Sequence, residues 1–440
     1  MDIKDIIKQY LDIHKGTAHK DDLEVIVWNL CTPEEYLDFI EKNSGIFGEG
    51  KFSDEARKKM RMASVERDRI VELEKMRKNP MQYPIENVYS FVKDGTFTFD
   101  ELVKEELLWK NEKDEYGNAK WNPFPDGLED NFEQFLTNQE LSSSADCTDI
   151  YFFGTPGTGK TCLLQGILNY DGFNFNPTTQ GGRYGKALTT SSKKGKPAKS
   201  NIGRLAAVIN GSINVLKDDK IVSHDINIVE LAGEDFRDRI VDFTSNIRPD
   251  MSEEEKEREM GKMNFSFELM GLNVTDFLVK SENPKVFFLV IDSMSNEKKH
   301  KDRPYFQSDM LNGFVHIFRN NEAVMKKVKA IHIVVTKADM LKDEKGEIMA
   351  DRQAAIYTLL QREYKTPIQN LLKYLATNTW LNRSTAGKLF AFPFSLGRFY
   401  LGNLFRYDKT DSERIVNVIK SITQGRRQET WWDKVVDFLG

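Results

Sequence analysis

The sequence predicts an α/β protein, with a mostly parallel sheet flanked by helices and a mainly helical N-terminal domain before it. Three observations point to this fold. A short apolar and aromatic run, Ile150–Phe153, is followed by a glycine-rich loop and then by apolar residues at helical spacing. Further apolar runs alternate with helical patterns towards the C-terminus, as expected when helices connect parallel strands. The first 140 residues carry mainly helical periodicity instead.

The composition is that of an ordinary globular protein, because 40% of the 440 residues are hydrophobic and 30% are charged. A net charge of −5 gives no general attraction to nucleic acids or anionic membranes, so neither is expected as a partner. The three cysteines lack metal-binding spacing and suit a reducing compartment. The longest apolar run, Val286–Ile291, is too short to cross a bilayer, and the acidic N-terminus does not resemble a signal peptide. We therefore expect a cytoplasmic protein without a membrane segment.

The N-terminal domain, residues 1–140, is predicted to be an interaction module, because no catalytic constellation is found in it. Thr32-Pro33 with Glu35 forms a capping box at the start of a helix. Ser53 is expected to cap a long charged helix that ends before Asn79-Pro80 and that is either a partner-binding face or a solvated one. Between Tyr89 and Phe99 the residues alternate around Asp94-Gly95, which predicts a small β-hairpin, and Asp100 is expected to cap the next helix.

The second domain is predicted to span residues 147–440, after a linker at Asn138–Ala145. Phe173–Ser200, rich in Thr, Ser, Gly and Lys, is expected to be a long mobile loop. Residues 235–283 contain a charge run and are expected to be an insertion. The predicted strands are Ile150–Phe153, Ala206–Asn210, Ile226–Leu231, Val286–Ile291, Ile331–Val335 and Phe390–Pro393. The predicted helices lie near Cys162–Leu168, Met310–Val328, Arg352–Leu375 and Ser412–Ile422.

The glycine-rich loop fills the pattern G-x-x-x-x-G-K-[ST] at residues 154–161, between the first strand and a helix. Gly157 and Gly159 allow backbone N–H groups to turn towards phosphate oxygens, and the helix N-terminus favours an anion. Lys160 can reach the β- and γ-phosphates, and the Thr161 hydroxyl is a hard oxygen ligand for Mg²⁺. A nucleoside triphosphate with Mg²⁺ is therefore expected. The predicted nucleotide-binding residues of this segment are Gly154, Thr155, Pro156, Gly157, Thr158, Gly159, Lys160, Thr161 and Cys162.

The base is predicted by Thr336-Lys337-Ala338-Asp339, at the end of an apolar strand. This segment resembles the [NT]-K-x-D motif of the Ras-like, TRAFAC-class P-loop GTPases. The Asp339 carboxylate can accept two hydrogen bonds from guanine, whereas adenine offers neither donor and would leave the acceptor unpaired. Lys337 would lie along the base plane and reach back onto the phosphate loop. The resemblance implies a GTP- or GDP-binding domain and also assigns Ser395 and Leu396 to a base-lining loop like the S-A-K motif, from which Leu396 departs.

Residues 227–234 resemble the D-x-x-G switch motif of the same family, with Glu230 in place of its Asp and with Gly233 as its Gly. An acid here would hold Mg²⁺ through a water molecule, opposite Thr161. Glu234 occupies the position of the water-orienting Gln, where a carboxylate would repel the γ-phosphate. Slow hydrolysis, completed by a partner or by oligomerisation, is therefore predicted. The expected catalytic residues are Lys160, Glu234 and Arg183.

The threonine of the first switch is predicted within residues 173–200. Thr178 and Thr179 are the first candidates, Thr179 being the expected metal ligand, and Thr189 and Thr190 are the later ones. Arg183 is either an arginine finger or a solvated surface residue. Loops 173–200 and 233–250 would be ordered by GTP and released on hydrolysis, which would signal to a protein partner.

Two other functions fit the same loop. The first is an AAA+-like ATPase, for which Asp292-Ser293 is the candidate acidic strand end although the second residue is not Glu. The second is a nucleotide-binding scaffold that scarcely hydrolyses. The loop, the A-G-E switch and the length also make the chain similar to the large, insertion-bearing bacterial GTPases of the double-GTPase type found in multi-gene conflict systems.

Overall fold

The computed structural model describes most of the chain. Contacts divide it into two compact units, Met1–Leu107 and Leu108–Gly440. The predicted linker at residues 138–145 and most of the predicted insertion at 235–283 lie outside the described residues, so the predicted domain limits stay predictions. The residues described are 3–13, 19–109, 147–175, 178–198, 207–217, 220–231, 233–234, 237–238, 251–252, 254–255, 258–259, 277–294, 296–300, 303–343, 345–377 and 389–423.

The first unit is helical throughout its described residues. Its helices are α1 (Ile3–Ile13), α2 (Lys20–Leu30), α3 (Pro33–Lys42), α4 (Ser44–Phe47), α5 (Ser53–Lys78), α6 (Ile85–Asp94) and α7 (Phe99–Lys104). Its core lies where α2, α3 and the start of α5 pack together. The buried Tyr36 hydroxyl donates to the buried carboxylate of Glu24 at 2.6 Å, and Trp28 stacks on Phe52. The capping box of Thr32 and Glu35 is confirmed.

The β-hairpin predicted between Tyr89 and Phe99 is wrong. Residues 85–94 form α6, whose buried Val88 faces the unit, and Gly95 ends the helix in the left-handed conformation (φ 79°). An Asp-Gly pair suits a helix end as well as a hairpin turn, since both need a residue with positive φ. Two predicted caps are also displaced: α5 begins at Ser53 itself, and Thr98, with Glu101, caps α7 in place of Asp100.

The second unit is built on a seven-stranded sheet, which confirms the predicted α/β fold. The strands of the unit are β1 (Thr148–Phe153), β2 (Phe173–Phe175), β3 (Ala207–Lys217), β4 (Lys220–Glu230), β5 (Lys285–Asp292), β6 (Glu297–His300), β7 (Arg303–Phe306), β8 (Val328–Thr336), β9 (Phe390–Phe394), β10 (Gly397–Phe399) and β11 (Phe405–Tyr407). The order in the sheet is β2-β3-β4-β1-β5-β8-β9. Strands β1, β4, β5, β8 and β9 are parallel, and β2 and β3 are antiparallel to their neighbours.

Helices cover both faces of this sheet, and each face has its own apolar core. The helices of the unit are α8 (Lys160–Leu168), α9 (Gln180–Lys193), α10 (Gln307–Asn320), α11 (Glu322–Met325), α12 (Arg352–Glu363), α13 (Lys365–Thr377) and α14 (Lys409–Thr423). One core lies under α10, α12 and α13, and the other lies under α8, α9 and α14. In the described residues, no helix is long and apolar enough to cross a membrane.

The long mobile loop predicted at residues 173–200 is wrong for the part that the structure describes. Residues 173–175 form β2, and 180–193 form α9, which buries Tyr184 and Leu188. Gly181 lets α9 come very close to β3, since a Cβ atom there would lie 1.7 Å from the Val208 carbonyl oxygen. The polar, glycine-containing composition thus serves helix–sheet packing.

The parallel pairing brings several strand ends to one edge of the sheet. Phe152 near the end of β1 pairs with Glu230 at the end of β4, and Asp292 at the end of β5 pairs with Thr336 at the end of β8. The glycine-rich loop starts where β1 ends, so all of these residues lie at the edge where ligands bind in open α/β sheets.

Candidate nucleotide-binding site

The glycine-rich loop has the backbone that its sequence predicts. Gly157 and Gly159 have φ values of 76° and 80°, which side chains on Cα disfavour. A Cβ atom at Gly154 would lie 2.5 Å from the Val290 carbonyl oxygen. Gly159 is the N-cap of α8 and brings no side-chain acceptor, so the first N–H groups of this helix are suited to an anion.

Lys160 bridges the loop from the first position of α8. Its buried ammonium group donates to the carbonyl oxygens of Gly154 at 2.7 Å and Thr155 at 3.0 Å. Burial lowers the pKa of Lys160 to about 8, although the carboxylates of Glu234 and Glu230 oppose this change. A bound phosphate would add a further favourable negative charge at this position.

Glu230 and Thr161 form the centre of the site. The Thr161 hydroxyl donates to Glu230 Oε1 at 2.5 Å, and the Tyr184 hydroxyl donates to Glu230 Oε2. All three side chains are buried. Burial raises the pKa of Glu230, while the two hydroxyl donors and Lys160 act in the opposite direction. The sequence analysis named Glu230 and Thr161 as metal ligands, but it did not predict their direct hydrogen bond and carried no sign of Tyr184.

Gly233 lies directly against the phosphate loop. A Cβ atom there would be 2.5 Å from the Pro156 nitrogen, 2.6 Å from the Thr155 carbonyl carbon and 2.7 Å from Lys160 Nζ. Only glycine fits such an approach to a backbone. The next residue, Glu234, lines the same cavity.

The Thr336–Asp339 segment is fastened to the loop through its first two residues. Thr336 Oγ1 donates to the Thr158 carbonyl at 2.6 Å, and Lys337 Nζ donates to the Gly157 carbonyl at 3.2 Å. Lys337 has a left-handed backbone (φ 56°) and also pairs with Asp292 at 3.1 Å. This strand end is therefore held against the phosphate loop.

Asp339 lies beside Ser395 at the same edge of the sheet. Burial raises the pKa of Asp339, while the Ser395 hydroxyl and the Arg352 guanidinium counteract this rise. The Ser395 N–H donates to Asp411 at 3.0 Å, and Leu396 is buried next to it. The structure thus brings the predicted base-reading carboxylate and the predicted base-lining loop together.

A cavity of about 180 Å³ lies over the loop. It is smaller than the roughly 300–1,000 Å³ of typical ligand pockets, which suits the phosphates and metal rather than a whole nucleotide. Sequence reasoning missed Ala198 and Leu231 among its lining residues. Asp339, Thr336, Ser395 and Leu396 lie outside the lining. The residues that line it are Pro156, Gly157, Gly159, Lys160, Thr161, Cys162, Ala198, Glu230, Leu231, Gly233, Glu234 and Lys337.

The predicted residues on α9 do not line this cavity. Thr179 is the N-cap of the helix, where its hydroxyl accepts from the Gly182 N–H at 2.9 Å. The Thr189 and Thr190 hydroxyls donate to the Lys186 carbonyl, and the Arg183 side chain is exposed. Neither Thr179 nor Arg183 lines the cavity, and their roles as metal ligand and as arginine finger stay predictions. Of the residues on α9, Tyr184 is the one that reaches Glu230.

The donor set at the centre of the site suits Mg²⁺. Hydroxyl and carboxylate oxygens are the ligands this ion prefers, and Thr161 and Glu230 already touch beside the phosphate loop. No group of three or more His, Cys, Asp or Glu residues converges to hold a metal within the part of the chain that is described. Mg²⁺ does not need such a group, because phosphate oxygens and water complete its coordination.

In the second unit, a glycine-rich loop of the phosphate-binding pattern joins the parallel strand β1 to α8. No protein-family model matches the sequence, and neither does any curated protein at a significant level.

The solved structures that match the chain include the following two. Nucleolar GTP-binding protein 1 of Plasmodium falciparum has 9% identity and a TM-score of 0.25, over 68% of this chain and 94% of that one. Methanosarcina barkeri Roco2 RocCORdC, bound to GDP, has 11% identity and a TM-score of 0.26, over 68% of this chain and 56% of that one. This chain thus spans just over half of the second structure.

Proposed function

We propose that the protein is a Mg²⁺-dependent GTP-binding switch that hydrolyses GTP to GDP slowly. The observation that carries this proposal is the attachment of Thr336 and Lys337 to the phosphate loop, at 2.6 Å and 3.2 Å. These bonds hold a T-K-x-D segment against the phosphate loop, which supports a role for that segment in reading the base of a nucleotide whose phosphates the loop binds.

Asp339 would then read the base. A half-buried carboxylate accepts hydrogen bonds from the N1–H and the exocyclic amine of guanine, and adenine would leave it unpaired. Such a site can discriminate between the two bases by roughly 10⁴ or more. The Ser395 hydroxyl, beside Asp339, favours the charged form of that carboxylate and so acts against the rise of its pKa.

Glu230 is the better metal-site acid, which favours the GTPase over the AAA+-like ATPase. Asp292, the candidate for the ATPase, accepts from Lys298 at 2.6 Å and from Lys337 at 3.1 Å. Burial disfavours the charged form of Asp292, but these two lysines outweigh it and lower the pKa. The Asp292 carboxylate is thus paired with two lysines, Lys298 and Lys337, whereas the Glu230 carboxylate contacts the Thr161 hydroxyl.

Hydrolysis would be slow because Glu234 stands where a neutral side chain would orient the attacking water. The carboxylate lines the cavity and interacts with Lys160, so it lies close to the site of the γ-phosphate. Its charge repels both the γ-phosphate and the developing negative charge of the transition state. A partner or a second copy of the chain would be needed for fast turnover.

The conformational signal would start at Gly233 and continue into residues 233–250, since the Gly233 backbone lies against Thr155 and Pro156. The predicted N-terminal module, residues 1–140, would carry the signal to a protein partner. Along α5 in that module, Met62 and Val65 are more than 60% exposed, which leaves apolar surface for such contact.

The test compares GTP, ATP and xanthosine triphosphate binding to the wild type and to Asp339→Asn, each with Mg²⁺. The amide offers a donor where guanine needs an acceptor, so GTP affinity should fall by at least about 100-fold and xanthine nucleotide affinity should rise. Asp343→Asn is the matched control. The Asp343 carboxylate accepts from the Lys345 and Glu347 N–H groups, and an amide oxygen can still do so.

Equal binding of ATP and GTP, unaffected by Asp339→Asn, would reject the guanine assignment and favour the ATPase. Tight GTP binding with no detectable turnover would instead favour the nucleotide-binding scaffold.

A further inference from the structure

We infer that Tyr184 is the positioning residue of the metal site: its hydroxyl fixes the Glu230 carboxylate in the orientation that Mg²⁺ with nucleotide requires. This inference rests on the proposed function and adds a residue of α9 to it. The observation behind it is that Tyr184 and Thr161 hold the two oxygens of Glu230 separately.

The need for such a residue follows from the length of glutamate. Glu230 has one more rotatable bond than an aspartate at the same strand end, so its carboxylate can take more positions. Fixing a flexible side chain when a ligand binds costs conformational entropy. A hydrogen bond that already holds the side chain before binding lowers this cost. Tyr184 supplies this bond to Oε2 and leaves Oε1 on the side of Thr161.

Tyr184 is itself held rigidly, as a positioning residue must be. Its side chain is buried on α9, which packs against β3 through Gly181 and Gly185. Gln165 of α8 fixes the other end of the helix: its amide donates to the Leu188 and Lys196 carbonyls at 3.2 Å and 2.8 Å. The Tyr184 hydroxyl therefore stays in place without a ligand.

The arrangement is compatible with a bound metal. A hydroxyl group has two lone pairs besides its proton, so Thr161 can donate to Glu230 and offer a lone pair to Mg²⁺ at the same time. Glu230 Oε1 can accept from a metal-bound water while Oε2 keeps its bond from Tyr184. Because the chain keeps α9 in contact with this carboxylate, metal binding and the position of α9 are linked.

The experiment measures GDP and GTP affinity of the full chain at a series of Mg²⁺ concentrations and also in excess chelator. Tyr184→Phe keeps the buried ring and removes only the hydroxyl. We expect its metal-free nucleotide affinity to stay within twofold of wild type. The Mg²⁺ concentration at half-saturation should rise roughly tenfold, as expected for losing a hydrogen bond to a charged group. Tyr407→Phe is the matched control, since the Tyr407 hydroxyl donates to the Gly166 carbonyl on α8 and not to Glu230.

A second pair of variants separates positioning from a general packing effect. In Glu230→Asp the shorter carboxylate no longer reaches the tyrosine hydroxyl, so adding Tyr184→Phe should change the Mg²⁺ requirement by less than twofold. If the two substitutions act additively instead, Tyr184 does not work through Glu230, and the inference is overturned.

The other outcomes of the titration distinguish failure of the Tyr184 inference from failure of the proposed function. Wild-type binding of GTP that depends on Mg²⁺, together with an unchanged Mg²⁺ requirement in Tyr184→Phe, would overturn the inference and leave the proposed function standing. An equal loss of affinity with and without Mg²⁺ would show a structural role only and would also overturn it. Failure of the wild type to bind either nucleotide would reject the proposed function, and the inference with it.

Discussion

Gly233, three residues after the end of β4, lies so close to the phosphate loop that no side chain fits between them. The nearest atoms to a Cβ at this position would belong to the backbone of Thr155 and Pro156 and to the Lys160 ammonium group, all within 2.7 Å. Backbone atoms cannot move aside as the tip of a side chain can. The sequence identified Gly233 from its place in a motif, and its contact with the loop gives a physical reason for that choice.

Gly233→Ala is therefore expected to displace either the phosphate loop or the segment that follows β4. We predict a loss of at least about tenfold in GDP affinity together with a lower melting temperature, measured by nucleotide titration and thermal unfolding. Gly45→Ala, where a Cβ atom has no neighbour within 4 Å, is the control. Unchanged GDP affinity would mean that the close approach is not needed for binding.

Glu234→Gln is expected to speed up single-turnover GTP hydrolysis by about tenfold or more, which corresponds to a barrier lower by about 1.4 kcal/mol. The amide keeps the shape of the side chain and removes the charge that repels the γ-phosphate. Quench-flow or slow manual sampling of GTP and GDP at saturating protein checks this. A slower reaction in the variant would mean that the Glu234 carboxylate promotes hydrolysis.

His332 of β8 is buried among Phe288, Phe390 and Phe392. Within the described residues neither of its ring nitrogens has a hydrogen-bond partner. Burial lowers its pKa to about 3. The unfolded chain takes up a proton below about pH 6.5, while the folded protein does not, so stability falls as the pH drops from that value towards about 3.

The expected loss from this histidine is about 1.4 kcal/mol per pH unit, or about 2 kcal/mol between pH 6.5 and 5. His332→Leu should flatten that part of the stability profile, measured by denaturant unfolding at both pH values. The same pH dependence in the variant and the wild type would show that His332 is not the group responsible.

The residue types of α9 are compatible with a mobile loop and also with a helix packed closely on a sheet. Its serines, threonines and glycines suggested a loop, but two of its glycines face a neighbouring strand. Gly181 and Gly185 lie against Val208 and Ile209 of β3, where larger residues would separate helix and sheet. Only the partner strand shows that these glycines serve packing.

Gly181→Ala and Gly313→Ala should therefore have opposite effects on stability, although both lie inside helices. Gly313→Ala should stabilise by roughly 0.5–1 kcal/mol, because a Cβ atom there meets nothing within 4 Å. Gly181→Ala should destabilise by more than about 1 kcal/mol, because its Cβ would overlap the Val208 carbonyl. Denaturant unfolding of both variants checks this, and a destabilising Gly313→Ala would contradict the propensity argument.

The sequence pattern of α6 is compatible with both a strand and a helix. Its residues alternate well enough for a strand, and its Asp-Gly pair suits a hairpin. The apolar residues fit a helix equally well, and burial of Val88 in the helical unit decides between them. The continuous apolar run of β5 predicts that strand to within one residue at each end, whereas β8 begins three residues before its predicted start.

On the scale of the whole molecule, the chain has two compact units with separate cores. We therefore expect calorimetry of the full chain to resolve two unfolding transitions. GTP with Mg²⁺ should raise only the transition of the second unit, by an amount that grows with the logarithm of ligand concentration. ATP with Mg²⁺ is the control and should have little effect. A single transition that shifts as a whole would show that the units unfold together.

The phosphate loop, the alternation of strands and helices, and the candidate positions Lys160, Thr161, Glu230 and Gly233 all follow from the amino-acid sequence. These are local features, because glycine conformations, strand patterning and helix starts depend on neighbouring residues. The tertiary structure was needed to show that β4 and β5 lie on either side of β1 and that Tyr184 holds Glu230. Tyr184 and Glu230 are 46 positions apart, and strand order and side-chain packing bring them together, which no local pattern encodes.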